Sequence, residues 1–223
     1  MSYAALFSGG KDSTYAIWKA QEAGLNVESL ITVYPKRKDS YMFHKPNLDF
    51  VPDIAESLGL KLVKIQTEGE KELELDDLKG CLKDMDLDGI ITGAVKSSYQ
   101  YDRIENLSSE LDMEHYAPLW QMDQLDLLNE LIENEFKTMI VSAAAMGFDE
   151  SWLGREIDEA CILELNKLNE KYGINVAGEG GEYETFVLDA PNYRWGFEII
   201  DADKSWEGYR GEYSIKEVKK ICL

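Results

Sequence analysis

Over the first 118 residues, short apolar runs alternate with stretches of helical periodicity. Tyr3–Phe7, Val27–Tyr34, Lys61–Ile65, Gly89–Val95 and Glu114–Pro118 read as strands. Thr14–Ala23, a stretch carrying Val51, Ile54, Ala55 and Leu58, then Leu73–Met85 and Ser98–Leu111, read as the intervening helices. Gly24 and Gly59 stand where helix-ending glycines belong, and Pro52 falls in a first turn, where proline is tolerated. Few folds accept this order. Short parallel strands joined by right-handed helical crossovers make an α/β, doubly wound, mostly parallel sheet. Such sheets bind ligands beyond the carboxyl ends of their strands.

The pattern loosens after residue 122, which sets the expected boundary between an N-terminal domain, 1–122, and a smaller α+β domain, 123–223. Asp123 reads as the N-cap of a helix bearing Leu127, Leu128, Leu131 and Ile132. Thr138–Ala143 reads as a strand and Glu156–Tyr172 as a helix ended by Gly173. Trp195–Ile200 and Tyr209–Val218 look like a hairpin-rich ending.

Charge narrows the partners. Acidic residues number 43 against 23 basic, a formal net charge of −20. A surface this negative repels phosphate backbones and argues against nucleic acid, although Lys36, Arg37 and Lys38 form one local basic run. No apolar run approaches the roughly 20 residues of a membrane helix, and no signal peptide is visible, so a cytoplasmic protein is expected. Cys81, Cys161 and Cys222 are far apart, which suggests reduced thiols. With only His44 and His115 as imidazole ligands, a zinc site is disfavoured.

The stretch SGGKDS, Ser8–Ser13, sits between the first strand and the first helix. That is the geometry of an anion site, because amides at a helix start lack intrahelical partners and the helix dipole favours negative charge. Gly9 and Gly10 permit close approach of the backbone, Lys11 supplies a point charge, and Ser8 and Ser13 offer hydroxyls. Asp12 is a candidate cap or magnesium ligand. Neither a Walker A spacing nor GxGxxG is present. Two further stretches follow strands, YMFHKPN and GAVKSSYQYDR, and the three loops could share one crevice. Far along the chain, AGEGGEYETFVLDAPNY places three glycines before a strand. Alternation there puts Glu182, Glu184, Phe186 and Leu188 on one face. Carboxylates leading into an apolar row need a cation, a donor or a site unless they stay exposed.

SGGKDS resembles the PP-loop of the adenine-nucleotide alpha-hydrolase superfamily, the N-type ATP pyrophosphatases. The resemblance narrows when the motifs are taken in order. SGGKDS, MFHKPN, GAVKSSYQYDRIE, PLW and GEGGEYETFVLDAP, spanning Ser8–Pro191, are similar to those of the diphthine–ammonia ligase family, in its short archaeal-type form. The resemblance implies a Rossmann-like PP-loop domain, a smaller substrate domain and an active-site cleft between them. It implies adenylation of the carboxylate of diphthine on elongation factor two, then amidation by ammonium, with ATP and Mg2+ used and AMP and pyrophosphate released. Rival readings are a tRNA-modifying PP-loop enzyme and an adenine-nucleotide module without turnover. Homodimerisation stays open.

The candidate residues follow. Ser8, Gly9, Gly10, Lys11, Asp12 and Ser13 are assigned to the ATP phosphates, Asp12 also to a metal, and Gly93 and Ala94 to approach of the fourth strand's end to the nucleotide. Lys11, Glu182, Glu184 and Arg103 are the candidate catalytic groups, with Arg103 a clamp for phosphate or carboxylate. His44, Ser97, Gln100, Trp120, Glu179, Gly180, Gly181 and Glu182 are the candidate substrate contacts. For several of these a plainer role competes. Ser97 and Gln100 could merely cap a helix, Trp120 could be core, and Glu105 could pair with Arg103.

Overall fold

A computed structural model describes residues 1–35, 48–67 and 71–222. The chain divides into two compact units. Among the described residues, the first draws on 1–8, 12–35, 51–67 and 71–120, and the second on 9–11, 48–50 and 121–222.

In the first unit, β1 (Ser2–Leu6), β2 (Asn26–Pro35), β3 (Lys61–Thr67), β4 (Gly89–Ile91) and β5 (Glu114–Tyr116) form one sheet in the order β3-β2-β1-β4-β5. Every neighbouring pair is parallel. Between the strands run α1 (Lys11–Glu22), α2 (Val51–Leu58), α3 (Lys71–Lys83) and α4 (Ser98–Glu110). The expected doubly wound α/β class is what the chain forms. The central strand β1 is covered on both faces, which is why it reads as the unbroken run Tyr3, Ala4, Ala5, all buried. One face of the sheet offers Ala4, Ile31, Ile65 and Ile90 to Leu78 and Leu82 of α3 and Leu107 of α4. Cutting a fully buried leucine such as Leu82 to alanine would cost about 2–5 kcal/mol. Strand order reverses at β1, so β1 and β4, which pair directly, flank the switch point where doubly wound sheets take ligands.

The second unit is built on an antiparallel sheet, β7-β6-β9-β8. Its strands are β6 (Lys137–Ala143), β7 (Tyr183–Asp189), β8 (Gly196–Glu207) and β9 (Arg210–Ile221), with α5 (Gln124–Glu133) and α6 (Glu159–Tyr172). Asp123 caps α5 by accepting from the Leu125 and Asp126 amides, and left-handed Gly173 ends α6, both as the sequence predicts. β8 and β9 make the expected hairpin, paired from Gly196–Ile221 to Glu207–Arg210.

Three of the element boundaries that differ from expectation bear on the candidate site residues. α1 begins at Lys11 rather than Thr14, because Lys11, Asp12 and Ser13 are already its first turn. β4 ends at Ile91, since Thr92–Val95 leave the ladder to form the loop before α4. β7 starts at Tyr183, so Glu182 belongs to the turn and not to the strand face expected for it, and a register shift near Leu188 breaks the alternation further on.

Candidate active site

In the first unit the loop residues after β1 fold back on themselves. The Ser8 amide donates to Ser13 Oγ at 3.3 Å, and the two hydroxyl oxygens lie 3.2 Å apart. Across the switch point stands Gly93, one residue after Thr92. An ideal Cβ on Gly93 would lie 2.6 Å from the Asp12 carbonyl carbon and 2.7 Å from Ser13 N. Only glycine lets the loop after β4 approach the first turn of α1 so closely. Gly93 thus has a packing role at the Ser8–Ser13 loop, and Ala94 beside it is buried.

Helix α4 carries the second predicted stretch. Ser97 is its N-cap and accepts from the Gln100 amide at 3.4 Å, so the plainer capping role is the one its side chain performs. Gln100 and Ser98 are exposed. The Arg103 guanidinium lies over the Tyr99 ring, 4.9 Å from its centroid, and donates to the Tyr99 hydroxyl. Glu105, read from the sequence as a partner of Arg103 or plain helix surface, has a third role. Its carboxylate meets His115 Nδ1 at 3.0 Å, because α4 turns that residue toward β5. Trp120 stacks on Tyr101 at 4.1 Å and 18°, and Tyr101 in turn covers His115. Burial and then the Glu105 carboxylate push the Tyr101 hydroxyl pKa up.

The second unit contains Gly9–Lys11 together with the glycine-rich turn before β7. Gly9 has φ +79°, a conformation that L side chains rarely adopt. The Lys11 backbone amide donates to Thr185 Oγ1 at 3.0 Å. Lys11 is 3% exposed, with its ammonium 5.7 Å from the centroid of the Tyr183 ring. Tyr183 is fixed by its hydroxyl, which donates to the Val176 carbonyl at 2.7 Å. The turn is organised by Asn175, whose Oδ1 accepts from the Ala177 and Glu179 amides, and by Glu182. One Glu182 oxygen accepts from the Asn175 amide at 2.9 Å and the other from the Gly180 amide at 2.8 Å. Glu182 therefore holds its own turn together, with Gly178 and Gly181 left-handed on either side of the bend. Glu184 is exposed on β7, and Glu179 is half-buried.

Of the predicted residues, Ser8, Asp12, Ser13 and Gly93 are brought together in the first unit, and Gly9, Gly10 and Lys11 stand with Thr185 and Tyr183 in the second. His44 lies outside the described residues. Thr185, Asn175 and His115 carry contacts that residue-type reasoning passed over. The first two lie in or beside the quoted glycine-rich stretch, while His115 had no local signal.

A model described as the diphthamide synthase N-terminal domain matches residues 1–115, and one described as its C-terminal domain matches 123–221. A human protein named diphthine–ammonia ligase is 36% identical over 219 residues, covering 87% of this chain and 81% of the human one. The chain belongs to the diphthine–ammonia ligase family. Membership makes it an enzyme of the ATP-dependent, amide-forming ligase type. The zebrafish diphthine–ammonia ligase is 36% identical, with 92% and 88% of the two chains covered. The Saccharomyces cerevisiae member is 33% identical and 93% of this chain is covered, but only 36% of the yeast one. The chain thus spans most of the vertebrate relatives' length and about a third of the yeast one's. A solved Methanocaldococcus jannaschii structure, described as a predicted subunit of tRNA methyltransferase, aligns at TM-score 0.48 and 18% identity, covering 86% of this chain and 98% of that one. That likeness is too low to carry an argument. Among the described residues, no helix is long and apolar enough to cross a membrane.

Proposed function

We propose that this chain converts diphthine on elongation factor two to diphthamide, using ATP and ammonium. The observation that carries the reading is the family match across both units, 1–115 and 123–221. The diphthine carboxylate attacks the α-phosphorus of ATP, the bond to the bridging oxygen breaks, and pyrophosphate leaves. Ammonia, after ammonium gives up a proton, attacks the acyl carbon and AMP departs.

Ser8, Gly9, Gly10, Lys11, Asp12 and Ser13 are the residues for the phosphates. A lysine at a helix start, in a largely buried setting, stabilises charge on departing pyrophosphate far better than one in bulk water. Mg2+ would sit on phosphate oxygens with Asp12 as its protein carboxylate. That suits an ion that binds through one or two carboxylates plus substrate phosphates. Arg103 serves as the clamp, and Ser97, Gln100 and Trp120 contribute to the substrate side. Glu184 and Glu179 are the carboxylates for ordering ammonium, and Glu182 contributes by keeping their turn in shape.

The test is direct. Purified protein with ATP, ammonium and diphthine-bearing elongation factor two should release AMP and pyrophosphate in step with amide formation. Release of ADP, or of nothing, overturns the reading. Tight, salt-sensitive tRNA binding would favour the tRNA-modifying rival instead.

A further inference from the structure

His115 lies on β5, the edge strand of the first sheet, yet its side chain is 1% exposed. A leucine there would fill the space without needing polar partners. The imidazole instead meets one partner at each nitrogen, Glu105 Oε2 on Nδ1 at 3.0 Å and Thr92 Oγ1 on Nε2 at 2.7 Å. A carboxylate only accepts, so Nδ1 carries the proton. In the neutral ring Nε2 is then the acceptor and the Thr92 hydroxyl the donor. Burial pushes the His115 pKa down, and the Glu105 hydrogen bond opposes this in part. In either protonation state Nδ1–H donates to the Glu105 carboxylate. Tyr101 covers the ring from one side, with centroids 4.9 Å apart.

The line does not end at Thr92. The Thr92 amide donates to the Tyr116 carbonyl at 3.1 Å, which carries the β4–β5 ladder one residue past the strand. The next residue is Gly93, whose backbone presses on Asp12 and Ser13. Three hydrogen-bonded side chains from α4, β5 and the end of β4 thus terminate one residue from the contact that spaces β4 against the first turn of α1. Fully satisfied buried polar networks fix position more narrowly than apolar packing does.

We propose that Glu105, His115 and Thr92 are positioning residues that set where Asp12 and Ser13 stand, and so tune the affinity of the phosphate loop for ATP. This rests on the ATP-binding reading above.

Thr92→Val keeps the volume, removes the hydroxyl and leaves His115 Nε2 without its donor. It should raise the KM for ATP roughly five- to tenfold with kcat changed less than about twofold. Thr92→Ser should restore the wild-type KM. His115→Phe should act in the same direction as Thr92→Val, and the double variant should be no worse than the more severe single one. A second readout needs no nucleotide: amide hydrogen exchange at Asp12 and Ser13 should quicken roughly fivefold in Thr92→Val. If exchange quickens while wild-type protein binds no ATP, the ATP reading fails and the relay stands. If exchange and ATP affinity are both unchanged in Thr92→Val, or if serine fails to rescue, the relay is overturned.

Discussion

Gly93→Ala tests the spacing of the Ser8–Ser13 loop, proposed above to hold the ATP phosphates, with one carbon atom. The φ of Gly93 lies outside the left-handed region, so alanine meets no backbone strain and the whole effect is steric. The added Cβ would stand 2.6 Å from Asp12 C and 2.7 Å from both Asp12 O and Ser13 N, all backbone atoms. Restoring ordinary contact, from 2.6 to 3.4 Å, requires a shift of roughly 0.8 Å in a helix start that no rotamer change can provide. Overpacking of this kind costs typically 1–3 kcal/mol, and an immovable partner puts it near 3. Alanine recovers about 0.7 kcal/mol by restricting the unfolded chain, leaving a net loss of about 2 kcal/mol. For a protein of this size the melting transition should fall by roughly 4–8 °C, with a weaker ATP affinity. Gly80→Ala is the control, since Gly80 lies within α3 and a Cβ there meets nothing within 4 Å. It should raise stability by about 0.5–1 kcal/mol. Calorimetric melting of both variants with ATP titration decides the matter. A Gly93→Ala protein that melts at or above wild type and binds ATP normally refutes the reasoning.

Three further outcomes are expected. Lys11→Met should cut pyrophosphate release by roughly 10²–10³-fold, read in the coupled assay; retention of most activity would remove Lys11 from the chemistry. Glu182→Gln puts an amide NH2 where a second oxygen now accepts a backbone N–H, which should cost about 1 kcal/mol in melting, while exposed Glu184→Gln should lower the amidation rate with stability within about 0.5 kcal/mol of wild type. The reverse pattern would exchange their roles. Because burial holds the folded-state His115 pKa below 6.5, the unfolded chain binds more protons as pH falls from 6.5 toward the folded value. Stability should drop across that window and be unaffected above it, and denaturant titration of His115→Gln from pH 8 to 5 should show that component gone; an identical acid loss in the variant would refute it.

The parts of the fold legible in the sequence are those whose physics is local. β1 could be read because a strand covered on both faces must be apolar throughout, and Tyr3, Ala4 and Ala5 are. Gly24, Gly59 and Gly173 marked helix ends because each takes the positive φ that other residues avoid. Asp123 announced α5 for the same kind of reason, a side chain bonded two and three residues ahead. Even the Ser8–Ser13 loop is local, six residues whose turn and helix start are written in order.

What could not be read depends on residues meeting across the fold. The partner of Glu105 is ten residues away on another element, and the other partner of that same imidazole is 23 residues back. Helical periodicity gives Glu105 a surface position and offers Arg103 as a nearby charge, and nothing in the string favours a buried histidine over it. Glu182 shows a subtler failure. Its spacing to Glu184 and Phe186 is right for a strand face, but β7 starts one residue later, and the freed carboxylate satisfies two amides of the turn it belongs to. A carboxylate beside glycines is ambiguous for this reason. Glycine-rich turns expose backbone donors, and an acidic side chain placed to bind a ligand is also placed to satisfy them. Separating the two requires knowing where those donors point. The geometry of the turn gives Glu182 a structural duty toward its own backbone, while Glu184 stays exposed on the strand that follows.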